Sequence, residues 1–112
     1  MSTAPPLTLT REQASRLQAY LQAYRRYAFA MLLPCADRNT TLRVLQTMQG
    51  KLIGVIDQKT IPFRLVLTTE EMATLKIITA ELLMLYAQES ASEERNAILT
   101  DLAALKASLK HY

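Results

Sequence analysis

Apolar residues recur at intervals of three and four along four stretches of the chain. Ala14, Leu17, Leu21, Tyr24, Ala28 and Met31 form the first series, and Leu42, Leu45, Met48, Leu52 and Ile56 the second. Leu75, Ile78, Leu82 and Leu85 form the third, and Ile98, Leu102, Leu105 and Leu109 the fourth. At about 3.6 residues per turn, each series lines one face of a helix. Leu7-Thr8-Leu9 and Leu65-Val66-Leu67 alternate with period two instead, the spacing of a short extended segment.

The same order of elements occurs twice. A shift of 58 residues lays Leu7, Leu9, Thr10, Glu12 and Leu17 on Leu65, Leu67, Thr68, Glu70 and Leu75. A shift of 57 then lays Arg38, Asn39, Leu42, Leu45 and Leu52 on Arg95, Asn96, Leu99, Leu102 and Leu109. Leucine-rich helices produce chance matches, so the weight falls on the Thr-x-Glu and Arg-Asn clusters recurring in the same order. The change of offset falls in an inter-helix link, where insertions are tolerated. The repeat units span about residues 7–56 and 65–110 of a single domain covering residues 1–112.

Each unit opens alike. Thr10 is followed three residues on by Gln13, and Thr68 by Glu71, the pattern of a capping box that satisfies free N–H groups at a helix start. A long helix is predicted to about Leu33 in the first unit and about Gln88 in the second. A link follows, carrying Pro34 in one and Ser90-Ala91-Ser92 in the other, and a second helix then runs to about Ile56 or about Lys110. The predicted fold is all-α: a pseudo-two-fold four-helix bundle from two tandem helical hairpins, each preceded by a short extended segment. The internal axis would bring the two L-x-L segments together as an antiparallel pair. The end of the second helix is open to another outcome. Gly50 and Gly54 each cost about 1 kcal/mol in a helix interior, and residues 53–57 could pair with residues 63–67 as a hairpin instead.

Composition narrows the class. Half of the 112 residues are hydrophobic, 21% are charged, and there are only two glycines and four prolines, which suits a globular helical domain. The lone Cys35 rules out an internal disulfide and is expected to be a buried small hydrophobe in a reducing compartment. No apolar run approaches the length of a membrane span, and the N-terminus does not resemble a signal peptide, so the expected location is cytoplasmic and no membrane partner is expected. The net charge of +3 is unevenly spread. Up to Arg64 the chain carries nine basic and three acidic residues; from Leu65 onward it carries four and seven. This polarity could steer an acidic partner, or align a second copy antiparallel with basic half against acidic half.

Candidate chemistry is sparse. The only histidine, His111, is next to last, and no metal-ligand or nucleophile–base grouping appears. Glu70-Glu71 and Glu93-Glu94 sit in first turns, where the helix dipole accounts for them. Gly50 and Gly54 are one helical turn apart and are expected to let helices approach closely. No enzymatic activity and no cofactor are expected.

Three surface features remain. Tyr20, Tyr24 and Tyr27 are interleaved with Arg16, Arg25 and Arg26, a combination that can bind single-stranded nucleic acid. The repeat matches these tyrosines to Ile78, Leu82 and Leu85, so they are expected to pack inward. That leaves Arg16, Arg25, Arg26 and Arg43 as a basic face and nucleic acid as the less favoured partner. Arg38 and Arg95 stand near helix starts, where a cation opposes the dipole. Each is expected to reach carbonyls ending the preceding helix, with a pair of anion sites as the functional alternative. Finally, Ile77 and Met84 lie opposite the core face of the third helix, among Glu70, Thr74, Glu81 and Gln88. Apolar residues on a charged strip point to a partner or a self-contact. The expected function is a helical interaction module that self-associates, forming a homodimer, or docks a protein through Ile77, Met84 and Glu81. The alternative is a nucleic-acid-associated or regulatory protein using the basic N-terminal half.

Overall fold

The computed structural model describes residues 7–31, 36–58 and 63–110. Along the chain these form strand β1 (Leu7–Leu9), helices α1 (Arg11–Met31) and α2 (Ala36–Asp57), strand β2 (Phe63–Leu65), and helices α3 (Thr69–Ala87) and α4 (Glu93–Leu109). The fold is all-α, with two helical hairpins, α1–α2 and α3–α4, and 82% of the described residues helical. Contacts divide the chain into two compact units, Met1–Thr74 and Leu75–Tyr112, so the boundary falls inside α3 after its first turns.

In the first unit the two strands pair antiparallel, with Leu7 opposite Leu65, Thr8 opposite Arg64 and Leu9 opposite Phe63. Leu7 thus faces its own repeat equivalent, as a local two-fold relation requires. The register also corrects the expected second strand. β2 lies two residues earlier than Leu65–Leu67, because with Leu7 opposite Leu65 an antiparallel partner runs back to Phe63 as β1 runs forward to Leu9. Leu7, Leu9, Phe63 and Leu65 are buried while Thr8 and Arg64 point outward, the period-two alternation of a one-sided ribbon. The alternative hairpin does not form. Residues 53–57 continue α2, and β1 takes the pairing that they would have made.

The strand pair packs on α1 and α2, and α1 packs along α2. Periodicity selects most of their buried residues, Ala14, Leu17, Leu21, Tyr24 and Ala28 on α1 and Leu45, Met48 and Leu52 on α2; Tyr20 and Gln49 are buried as well, outside the series, while Leu42 and Ile56 are only half-buried. Each large side chain removed from water contributes about 1.5–3 kcal/mol. Met72, in the first turn of α3, is buried as well. In the second unit the buried residues are Leu75, Ile78, Thr79 and Leu82 on α3, and Leu102 and Leu109 on α4. Thr79 falls outside the apolar series. Its hydroxyl donates to the Leu75 carbonyl at 2.8 Å, which satisfies the group inside the helix it belongs to.

Both capping boxes form. Gln13 N–H donates to Thr10 Oγ1 at 3.1 Å while Thr10 N–H donates to Gln13 Oε1 at 2.9 Å. At α3, Glu71 N–H donates to Thr68 Oγ1 at 3.1 Å and Thr68 N–H to Glu71 Oε1 at 2.8 Å. α4 is capped more simply, with Arg95 N–H donating to Ser92 Oγ at 3.0 Å. Each Thr→Ala change, at position 10 or 68, should lower the unfolding free energy by about 1 kcal/mol, measurable by urea denaturation.

Contrary to expectation, Gly50 and Gly54 do not serve close packing among the described residues. Both lie on the exposed face of α2, and a Cβ added at either would meet nothing within 4 Å. Their backbone entropy is therefore lost on folding without a compensating contact. Gly50→Ala and Gly54→Ala should each raise stability by about 0.5–1 kcal/mol; a fall in the urea midpoint would show that the face is covered.

Candidate functional site

The outer face of α3 is the clearest surface feature. Successive residues of a helix turn through about 100°, so Met72, Leu75, Ile78, Thr79 and Leu82 share the side that is buried. Diametrically opposite run Ala73, Ile77, Ala80, Met84 and Ala87, at spacings of four, three, four and three. Ile77 is 57% exposed and Met84 64%. Ala73 and Ala87 are exposed and Ala80 is half-buried. No charged or polar residue interrupts this stripe. Glu81 and Gln88 border it on one side and Lys76 on the other, while Glu70 ends it at the N-terminus.

Comparison with the first repeat shows that the stripe is not a by-product of the shared pattern. At the 58-residue offset the corresponding residues of α1 are Ser15, Ala19, Gln22, Arg26 and Phe29, all exposed. α1 therefore clothes this side mostly with polar or charged groups. Phe29, 57% exposed, is covered on one face by the Arg38 guanidinium, 5.3 Å from the ring centroid. Ile77 and Met84 have no such cover among the aromatic and cation–π contacts of the described residues.

The basic residues of the N-terminal half are distributed rather than gathered. Arg16 is tied to Glu12, one turn earlier, in an exposed ion pair. Arg25 lies on the opposite side of α1, nine residues and about 180° further round. There its Nη1 donates to Gln49 Oε1 at 3.5 Å, and Gln49 Nε2 in turn donates to Gln22 Oε1 at 3.1 Å. This chain joins α1 to α2 and accounts for Gln49 being buried. Arg26 and Arg43 are exposed. Tyr20 and Tyr24 are buried, so their rings are not available for stacking on bases. Tyr27 is half-buried, its ring centroid 5.9 Å from that of Tyr24.

Arg95 bridges back across its link. Its Nη1 donates to the carbonyls of Ala87, at 3.4 Å, and Glu89, at 3.2 Å, and its Nη2 to Asn96 Oδ1 at 2.9 Å. The guanidinium thus caps the carbonyl end of α3 while its neighbour Asn96 holds it in place. Arg38 occupies the same position after the first link, and its guanidinium stacks on Phe29; the carbonyls it is expected to reach include ones outside the described residues. Cys35 and His111 lie outside the described residues. Among the described residues no group of three or more His, Cys, Asp or Glu could hold a metal, and no helix is long and apolar enough to cross a membrane. Comparison with family models, curated proteins and solved structures finds no match to this chain.

One part-buried ion pair escaped the sequence pattern. Glu71, 4% exposed, takes an ion pair from Lys51 of α2 on the same Oε1 that caps α3. Nothing in the spacing marks Lys51 as its partner, since the two are joined only by the packing of α2 on the start of α3. Burial pushes the Glu71 carboxyl up. The Lys51 hydrogen bond, the Thr68 backbone N–H, the Lys51 charge and the Thr68 hydroxyl outweigh it, so the pKa lies below its ordinary value of 4.5. A carboxyl with a lower pKa folded than unfolded stabilises the fold above the unfolded value, and this contribution is lost as pH falls through the folded one. Glu71→Gln should therefore be less stable than the parent at neutral pH and lose less stability on acidification below about pH 4.5. Parallel urea-unfolding profiles for the two proteins across that range would contradict the assignment.

Proposed function

We propose that this chain is a non-enzymatic helical interaction module that associates with a second copy of itself through the outer face of α3. The observation that carries this reading is the uncharged stripe containing Ile77 and Met84, 57% and 64% exposed, on the side of α3 away from its buried face. Leaving such a stripe in water has a cost that burial against a partner would remove. The divergence of the two repeats supports the same reading. The first helix of each unit keeps one core pattern, but only α3 carries an apolar outer side. Ile77 and Met84 would form the centre of the contact, and Glu81 part of its polar rim. The single cysteine suits a reducing, cytoplasmic setting. Three of the four basic candidates are exposed, but Arg16 is tied to Glu12, and the burial of Tyr20 and Tyr24 leaves nucleic acid less to hold.

The stripe is narrow beside a standard interface of about 800 Å² per partner, so the dimer should be weak. Sedimentation equilibrium up to about 1 mM chain, the range of weak association, should resolve a monomer–dimer equilibrium. Replacing both Ile77 and Met84 by Glu should leave the helical circular dichroism unchanged and return the chain to monomer. A parent that is monomeric throughout defeats the proposal, and a double variant that still dimerises moves the interface elsewhere.

A further inference from the structure

Resting on that reading, we infer that the two copies meet with their α3 helices parallel and in register, as a two-heptad coiled coil from Ala73 to Ala87. The spacing of the stripe assigns Ile77 and Met84 to a positions and Ala73, Ala80 and Ala87 to d positions of a heptad. A β-branched Ile at a suits a two-stranded coil, and alanine at each d position lets the backbones approach closely. Lys76 then falls at g and Glu81 at the following e, five residues on and across the stripe. In a parallel pair the g flank of one helix lies against the e flank of the other with this same five-residue offset. Lys76 of each copy therefore meets Glu81 of the other, giving two symmetry-related ion pairs. In an antiparallel pair like flanks meet, and these charges would be kept apart. Both residues already make an interaction within the chain. An ammonium with three donors and a carboxylate with two oxygens retain capacity for a second.

This orientation differs from the one suggested by the unequal charge of the two halves of the chain. The local pairs prevail because charges separated by more than a Debye length, about 10 Å at 0.1 M salt, are largely screened. Contacts across the seam are not. The buried face of α3 already holds it helical, so association does not carry the nucleation cost that makes isolated short helices marginal.

The test combines charge exchange with cross-linking. Lys76→Glu and Glu81→Lys, singly, should each weaken the dimer about fivefold or more by setting like charges against each other. The double exchange should restore parental affinity, and mixing the two single variants should give a heterodimer. In a Cys35→Ser background, Ala87→Cys alone should form a disulfide-linked dimer under mild oxidation, because parallel d positions face each other. Cross-linking only when Ala73→Cys and Ala87→Cys chains are mixed would show an antiparallel dimer. That outcome overturns the inference while leaving self-association intact. Single charge variants with unchanged affinity in a chain that still dimerises would likewise overturn it, and this arm does not require removal of Cys35. A parent monomeric at about 1 mM would instead remove the reading on which the inference rests.

Discussion

One carboxylate oxygen, Oε1 of Glu71, holds the start of α3 and helix α2 together. It accepts the Thr68 N–H and so completes the start of α3, and it accepts the ammonium of Lys51 from α2. It does this immediately after the extended segment that includes β2. The group is buried, which makes the arrangement costly to leave incomplete. A carboxylate taken out of water must be compensated by hydrogen bonds and charge, and here the compensation exceeds the burial penalty. Glu71 Oε2, buried without a hydrogen bond, is the residual cost of the arrangement. The start of α3 and helix α2 are thereby coupled through one side chain.

The equivalent position in the first repeat shows how much of this is local. Gln13 closes the same box on Thr10 with nearly the same distances, but it is exposed and neutral. A capping box needs only a threonine and an acceptor three residues later. Joining it to a distant lysine needs a negative charge and a helix packed alongside. The repeats therefore share their helix starts while differing in what those starts are tied to.

Outside their core faces the two long helices diverge in the same way. Gln22 and Arg25 of α1 tie to Gln49 across the first hairpin, whereas the matching residues of α3 are Ala80 and Leu83. A duplicated core pattern constrains only the buried face, because that face must fill a shared interior. The opposite face can change without disturbing the fold. On α1 it became mostly polar, and on α3 it became apolar. An interaction surface could arise on one repeat in this way without altering the bundle.

The sequence alone determined the four helices, their core faces, both capping boxes and the meeting of the two extended segments. These follow from periodicity and from residues three apart, which are interactions within one element or between elements related by the repeat. The exposure of Ile77 and Met84 was legible for the same reason, since a helical period places them opposite Leu75, Ile78 and Leu82. Only the tertiary structure decided the strand register, the burial of Thr79, the Gln22–Gln49–Arg25 chain, the Lys51–Glu71 pair and the exposure of Gly50 and Gly54. Each depends on which faces of separate helices meet and at what height. That is set by packing between residues far apart in the chain, and no local spacing encodes it.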